Sequence, residues 1–185
     1  MSELVLRNRQ RTRPVRLPRL RRIARVLLTE RLRLEDYALG VHLVAAAEMT
    51  RLNRQFLGHD SSTDVITFDY REYVAQASRL PRSVAAQNPV RRNHRPALHG
   101  EIFICLDDAV SQARRFRTTW QTELVRYLVH GVLHLLGYDD ATSGDRRAMK
   151  RAENRWLRSL SRQFSFRQLA RTGAATPRRS RIVVP

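Results

Sequence analysis

His130 and His134 stand four residues apart in the run His130-Gly-Val-Leu-His134-Leu-Leu-Gly137-Tyr-Asp-Asp140. The run is apolar between the histidines and reads as helix. Four residues is about one helical turn, so both imidazoles project from one face and can grip a single metal ion. Gly137 is placed to end the helix, and Asp140 follows ten residues after His130. Two ligands from a helix and a third from the returning chain would leave a fourth position open to water, the layout of a catalytic zinc site. Asp139 competes with Asp140 for the third place, and either aspartate could instead serve the turn or cap the next helix.

Thr119 is the expected cap of the metal-binding helix, with Thr122 and Glu123 in its first turn. Helical spacing of Leu20, Ile23, Ala24, Leu27 and Leu28 predicts a helix from Arg19 onward. Residues 39–47 read as a buried strand and 48–57 as a short helix. Residues 64–68 and 99–106 read as further strands, rich in β-branched and aromatic side chains. Asp107 or Asp108 is expected to cap a helix reaching Arg115, and 143–160 gives a last helix with Met149, Ala152, Trp156 and Leu160 on one face. The elements alternate irregularly, so the expected class is α+β: one domain, a small mixed sheet and about five helices. His42 and Cys105 fall on buried strands and read as core residues.

The chain has 185 residues, 42% of them apolar, enough for one hydrophobic core. No apolar run approaches the roughly 20 residues needed to cross a membrane, and the Arg-rich start lacks the apolar segment of an export signal. Cys105 is the only cysteine, so no internal disulfide can form, and a reducing cytoplasm is expected. The formal net charge is +18, and Lys150 is the only lysine. Arginine binds phosphate bidentately and stacks on bases, so a nucleic-acid partner is the first reading of this charge. Residues 1–33 hold eleven arginines and two glutamates, and 1–14 is expected to be disordered. A folded domain is expected over 15–161, interrupted by a long basic loop at 70–98 with Pro81, Pro89 and Pro96. Residues 162–185 are expected to form a basic flexible tail.

The spacing from His130 to Asp140 also matches the layout of metzincin proteases, His-Glu-x-x-His-x-x-Gly-x-x-His. Gly131 occupies the place of their glutamate base, which argues against a peptidase.

The whole run resembles the signature of the bacterial YbeY endoribonucleases, His-Gly-x-Leu-His-Leu-x-Gly-Tyr-Asp-His. Leu52-Asn53, Thr63-Asp64-Val65-Ile66-Thr67-Phe68 and Gly100-Glu101-Ile102-Phe103-Ile104 resemble the family's upstream blocks, and Asp145, Met149 and Glu153 match the helix after the signature. The likeness runs in order over about residues 40–160. It implies a zinc-dependent, single-strand-specific endoribonuclease acting in 16S ribosomal RNA 3′-end maturation and ribosome quality control. One Zn2+ per chain, held by His130, His134 and Asp140, would activate water. Ribosomal RNA, the small subunit and its assembly factors would be the partners.

Three departures stand out. The family's third histidine is Asp140, its usual arginine after the aromatic is Leu57, and the 70–98 loop is longer. Arg54, His59 or an arginine of that loop is the candidate substitute for the missing arginine. His59 is also a candidate acid–base partner, and Arg54, Arg92, Arg95 and Arg114 are candidate RNA contacts. Thr63 and Asp64 could border the cleft or form a capped turn. Tyr138 could pack over the metal or fill the core. Two other readings compete: a non-catalytic RNA-binding assembly factor and a zincin-like protease.

Overall fold

The computed structural model describes residues 2–71 and 98–171. Four strands, β1 (Glu3–Asn8), β2 (Tyr37–Val44), β3 (Val65–Asp69) and β4 (Leu98–Cys105), form one sheet in the order β1-β2-β4-β3. β1, β2 and β4 are parallel, with Val41 opposite Ile102, and β3 closes the far edge antiparallel to β4. Five helices surround the sheet: α1 (Leu17–Val26), α2 (Ala46–Leu57), α3 (Leu106–Arg115), α4 (Trp120–Leu135) and α5 (Ser143–Gln163). The α+β class with a mixed sheet and five helices is as the sequence predicts.

Strand alternation builds the core. Leu39, Val41 and Leu43 of β2 and Leu98, Ile102 and Ile104 of β4 are buried in one cluster with α1 and α4. α4 is the central helix. Leu124, Val125, Leu128, Val129, Val132, Leu133 and Leu135 are all buried, so it is apolar around most of its circumference. Its axis approaches β4 closely at Gly131, where an added Cβ would stand 2.6 Å from Ile102 Cγ2. A smaller cluster of Val44, Met49, Ile66, Phe103 and Cys105 gathers with Ala46 and Leu52 of α2.

Several boundaries differ from expectation, each for a local reason. Residues 3–8 are not disordered: they form the β1 edge, with Leu4 and Leu6 buried amid the basic residues. α1 begins at Leu17, and Pro18 sits in its first turn, where no backbone donor is lost. It continues into a π-helical turn over Leu27–Arg31. β2 and α2 each start two residues earlier than predicted.

Asp107 and Asp108 do not cap α3, which starts at Leu106. Asp107 instead accepts from Thr12 Oγ1 at 2.7 Å and from the Ala46 amide at 2.7 Å, capping α2 across space, while Asp108 accepts from Ser62 Oγ. The tail expected from 162 is ordered as far as Arg171. Phe164, Phe166 and Leu169 are buried, and Leu169 O accepts from the Arg16 amide at 2.8 Å. The 70–98 loop, apart from its first two residues and Leu98, lies outside the described residues, as do Arg92 and Arg95. No helix among the described residues is long and apolar enough to cross a membrane.

Candidate metal centre

Thr119 caps α4 as its position predicts, its Oγ1 accepting from the Thr122 amide at 3.2 Å. At the other end Gly137 takes φ +91, the left-handed conformation that glycine adopts without steric cost. The Gly137 amide donates to His134 O at 2.8 Å and the Tyr138 amide to Leu133 O at 3.0 Å. That pair of bonds is a Schellman motif, which ends α4 and turns the chain back over its last turn.

The reversal assembles the site. His130 Nε2 and His134 Nε2 face each other at 2.9 Å, and Asp140 Oδ2 stands 3.9 and 3.8 Å from them. These three ligand atoms lie within 4.8 Å of one another, a group that could hold a metal ion. Asp139 is engaged otherwise: its Oδ1 accepts from the amides of Asp140 at 2.7 Å and Ala141 at 3.2 Å, fixing the turn. Arg146 donates to the carbonyls of Asp140 at 3.0 Å and Ala141 at 2.7 Å, holding the same turn from α5.

The outer nitrogens decide the protonation of the inner ones. His134 Nδ1 lies 3.0 Å from Tyr138 O, which can only accept, so Nδ1 carries the proton. His130 Nδ1 lies 2.7 Å from Glu153 Oε1 and donates to it. Both Nε2 atoms therefore present lone pairs to each other at 2.9 Å, an arrangement that calls for a cation between them, a proton or a metal. The donor set of two imidazoles and a carboxylate suits zinc, with each histidine oriented through its other nitrogen. Tetrahedral zinc would space its ligand atoms about 3.3 Å apart, bracketed by the observed separations.

Glu153 stands against His130, a placement the sequence did not reveal. It is buried on α5 and also accepts from Lys150 Nζ at 3.2 Å and Arg126 Nη1 at 3.4 Å. Burial alone would raise its pKa, but the His130 hydrogen bond and the Lys150 charge hold it below the usual carboxylate value. His130 shows the converse: burial lowers its pKa, and Glu153, with Asp64 and Asp140, more than compensates, so the net shift is upward.

The remaining candidates separate. Asp64 lines a cleft with His130, while its Oδ1 accepts from the Val65 amide at 3.0 Å, so it borders the cleft and serves a turn. Thr63 Oγ1 donates to Asp64 Oδ1 at 3.3 Å. The Tyr138 ring is exposed and belongs to no core; it is the carbonyl of that residue that serves the site. His59 is exposed after α2, and its ring makes no hydrogen bond or ion pair with the histidines. Arg54 pairs with Asp60 on the surface, Arg114 is exposed on the last turn of α3, and Leu57 is exposed. Among the described residues, Arg146, Arg147 and Lys150 share an open groove with His130 and Asp140. His42 and Cys105 are buried as predicted, His42 stacked on Phe103.

A family model described as Endoribonuclease YbeY matches residues 5–161. Among curated proteins, the Endoribonuclease YbeY of Chlorobium phaeovibrioides is 38% identical over 112 residues, 60% of this chain and 61% of that protein. That of Chlorobaculum tepidum is 40% identical over 110 residues, 60% of this chain and 64% of the relative. The matched segment thus spans less than two thirds of either relative. The solution structure of a Thermotoga maritima protein shares the fold at a TM-score of 0.55 and 23% identity, covering 87% of this chain and 91% of that one.

Proposed function

The chain belongs to the YbeY endoribonuclease family, and from that premise we propose that it cuts single-stranded RNA at a zinc centre formed by His130, His134 and Asp140. The observation that carries the reading is the pair of opposed Nε2 lone pairs, held by Glu153 and the Tyr138 carbonyl with Asp140 alongside. Ribosomal RNA is the proposed substrate, at the 3′ end of the small-subunit RNA and in ribosome quality control. The proposed setting is the cytoplasm, with the small subunit and its assembly factors as partners.

A zinc ion in this set would supply Lewis acidity toward a phosphoryl oxygen and an acidified water. The residues around it set up that chemistry. Glu153 holds the proton on His130 Nδ1 and the Tyr138 carbonyl holds the proton on His134 Nδ1, so both Nε2 atoms stay free to ligate. Arg146 fixes the turn carrying Asp140. Arg147 and Lys150 share the groove with His130 and Asp140, where an RNA phosphate would meet positive charge. A peptidase base has no place here, because a side chain at Gly131 would run into Ile102.

Cleavage of a single-stranded RNA before and after chelation, with zinc restored afterwards, tests the proposal. Cutting should stop on chelation and return with zinc. Cutting unaffected by chelation overturns the metal assignment, and RNA binding without cutting favours the assembly-factor reading.

A further inference from the structure

A cleft of about 430 Å³ opens beside the metal centre, between α3, α4 and α5, with His130 and Glu153 in its wall. Its mouth carries Phe116, 61% exposed, the most exposed large apolar side chain among the described residues. The Arg115 guanidinium carbon lies 5.5 Å from the Phe116 ring centroid. The sequence here is Arg114-Arg115-Phe116-Arg117, an aromatic ring set among cations. Arg117 holds the left-handed φ of +53, a place that ends helices well with glycine and poorly with a side chain. The Thr118 amide donates to Ala113 O at 2.9 Å, so this left-handed residue ends α3, and the Phe116 ring just before it is left turned to solvent at the cleft mouth.

Deeper in the cleft, Gln112 Oε1 and the Tyr127 hydroxyl are buried and lack a hydrogen-bond partner among the described residues. Buried polar atoms without partners are costly, and a ligand edge or a water serves them. The Arg126 guanidinium in the same wall is tied to Glu123 at 3.2 Å and Glu153 at 3.4 Å, so its charge is balanced by those carboxylates and the wall offers a ligand polar edges rather than net positive charge.

Resting on the ribonuclease reading, we propose that this cleft takes the nucleobase next to the scissile phosphate, stacked on Phe116 with its polar edge toward Gln112. The groove with Arg146, Arg147 and Lys150 meets the cleft at His130, Lys150 and Glu153. The strand would thus cross the metal centre, its backbone on the arginine side and one base on the Phe116 side. Aromatic stacking tolerates every base, whereas the Gln112 amide gives a means of preference among them.

Binding and cleavage of a short single-stranded RNA are measured for the wild type, Phe116→Ala and Phe116→Trp. The same measurements use a matched oligonucleotide series in which single positions beside the cut are abasic. Phe116→Ala should weaken RNA binding roughly five- to hundredfold, the range of one lost base stack, while Phe116→Trp binds as wild type. One abasic position should erase the difference between wild type and Phe116→Ala. Equal RNA affinity of wild type and Phe116→Ala overturns the subsite, as does a loss that persists at every abasic position. If the wild type binds with this Phe116 dependence but does not cut, the ribonuclease reading fails and the base subsite stands. If it does not bind RNA at all, both fall.

Discussion

Gly131→Ala adds one methyl group to α4 at the point where the helix lies against β4. On an open helix surface the change would stabilise by about 1 kcal/mol, because alanine is the better helix former. Here the new Cβ would stand 2.6 Å from Ile102 Cγ2, 3.0 Å from Cδ1 and 3.2 Å from Cγ1. Carbon atoms prefer about 3.5–4.0 Å, so helix and strand must part by roughly 1 Å. Ile102 is fully buried in a central strand and has no free volume to enter. Overpacking of this kind costs about 1–3 kcal/mol. The upper part of that range, less the helix gain, leaves a net loss of about 1–2 kcal/mol, or a Tm lower by about 2–8 °C for a chain of this size. Thermal and urea unfolding of wild type, Gly131→Ala, Ile102→Ala and the double variant measure it. In the Ile102→Ala background the same substitution should become neutral or stabilising by up to about 1 kcal/mol, a coupling of about 1–3 kcal/mol between the sites. A Tm raised by Gly131→Ala in the wild-type background would refute the packing argument. It would also reopen position 131 to a glutamate base.

Three further outcomes are expected. Glu153→Gln keeps the shape but removes the charge that receives His130 Nδ1–H, and zinc affinity in competition titrations should fall about 10- to 100-fold; an affinity within twofold of wild type would remove Glu153 from the site. Asp140→Ala should lower zinc content by elemental analysis, whereas unchanged content would pass the third ligand position to Asp139 or water. Burial pushes the Cys105 thiol from 9.0 up to about 11, so it should resist alkylation at pH 8 until the chain is unfolded. Because the folded pKa is the higher one, the thiol's contribution to stability is complete below about pH 9 and is lost as pH rises toward 11; equal labelling rates in native buffer and in denaturant would contradict this.

What the sequence made legible was local. The His130–His134 spacing, the Thr119 cap and the Gly137 stop each depend on neighbours within one or two turns, and each is found as read. Glu153 was visible as a residue of the following helix, but its role depends on a contact 23 residues away that no local pattern encodes. The Tyr138 carbonyl leaves no trace in residue type at all, since every residue carries one. Charge also masked structure. Leu4 and Leu6 make an edge strand, and Phe164, Phe166 and Leu169 pin the segment after α5 to α1 and its lead-in, although both lie in arginine-rich parts of the sequence. Asp107 looked like a cap for its own helix because of its position, yet its carboxylate caps α2 instead.

The central claim, that the two histidines make this chain a metal-dependent ribonuclease, is tested most directly by cleavage of a single-stranded ribosomal RNA fragment. Wild type and His134→Ala are purified side by side. The account predicts cutting by wild type alone, because His134→Ala removes one of the two opposed Nε2 atoms. Equal cutting by both proteins, or none by either, would contradict it.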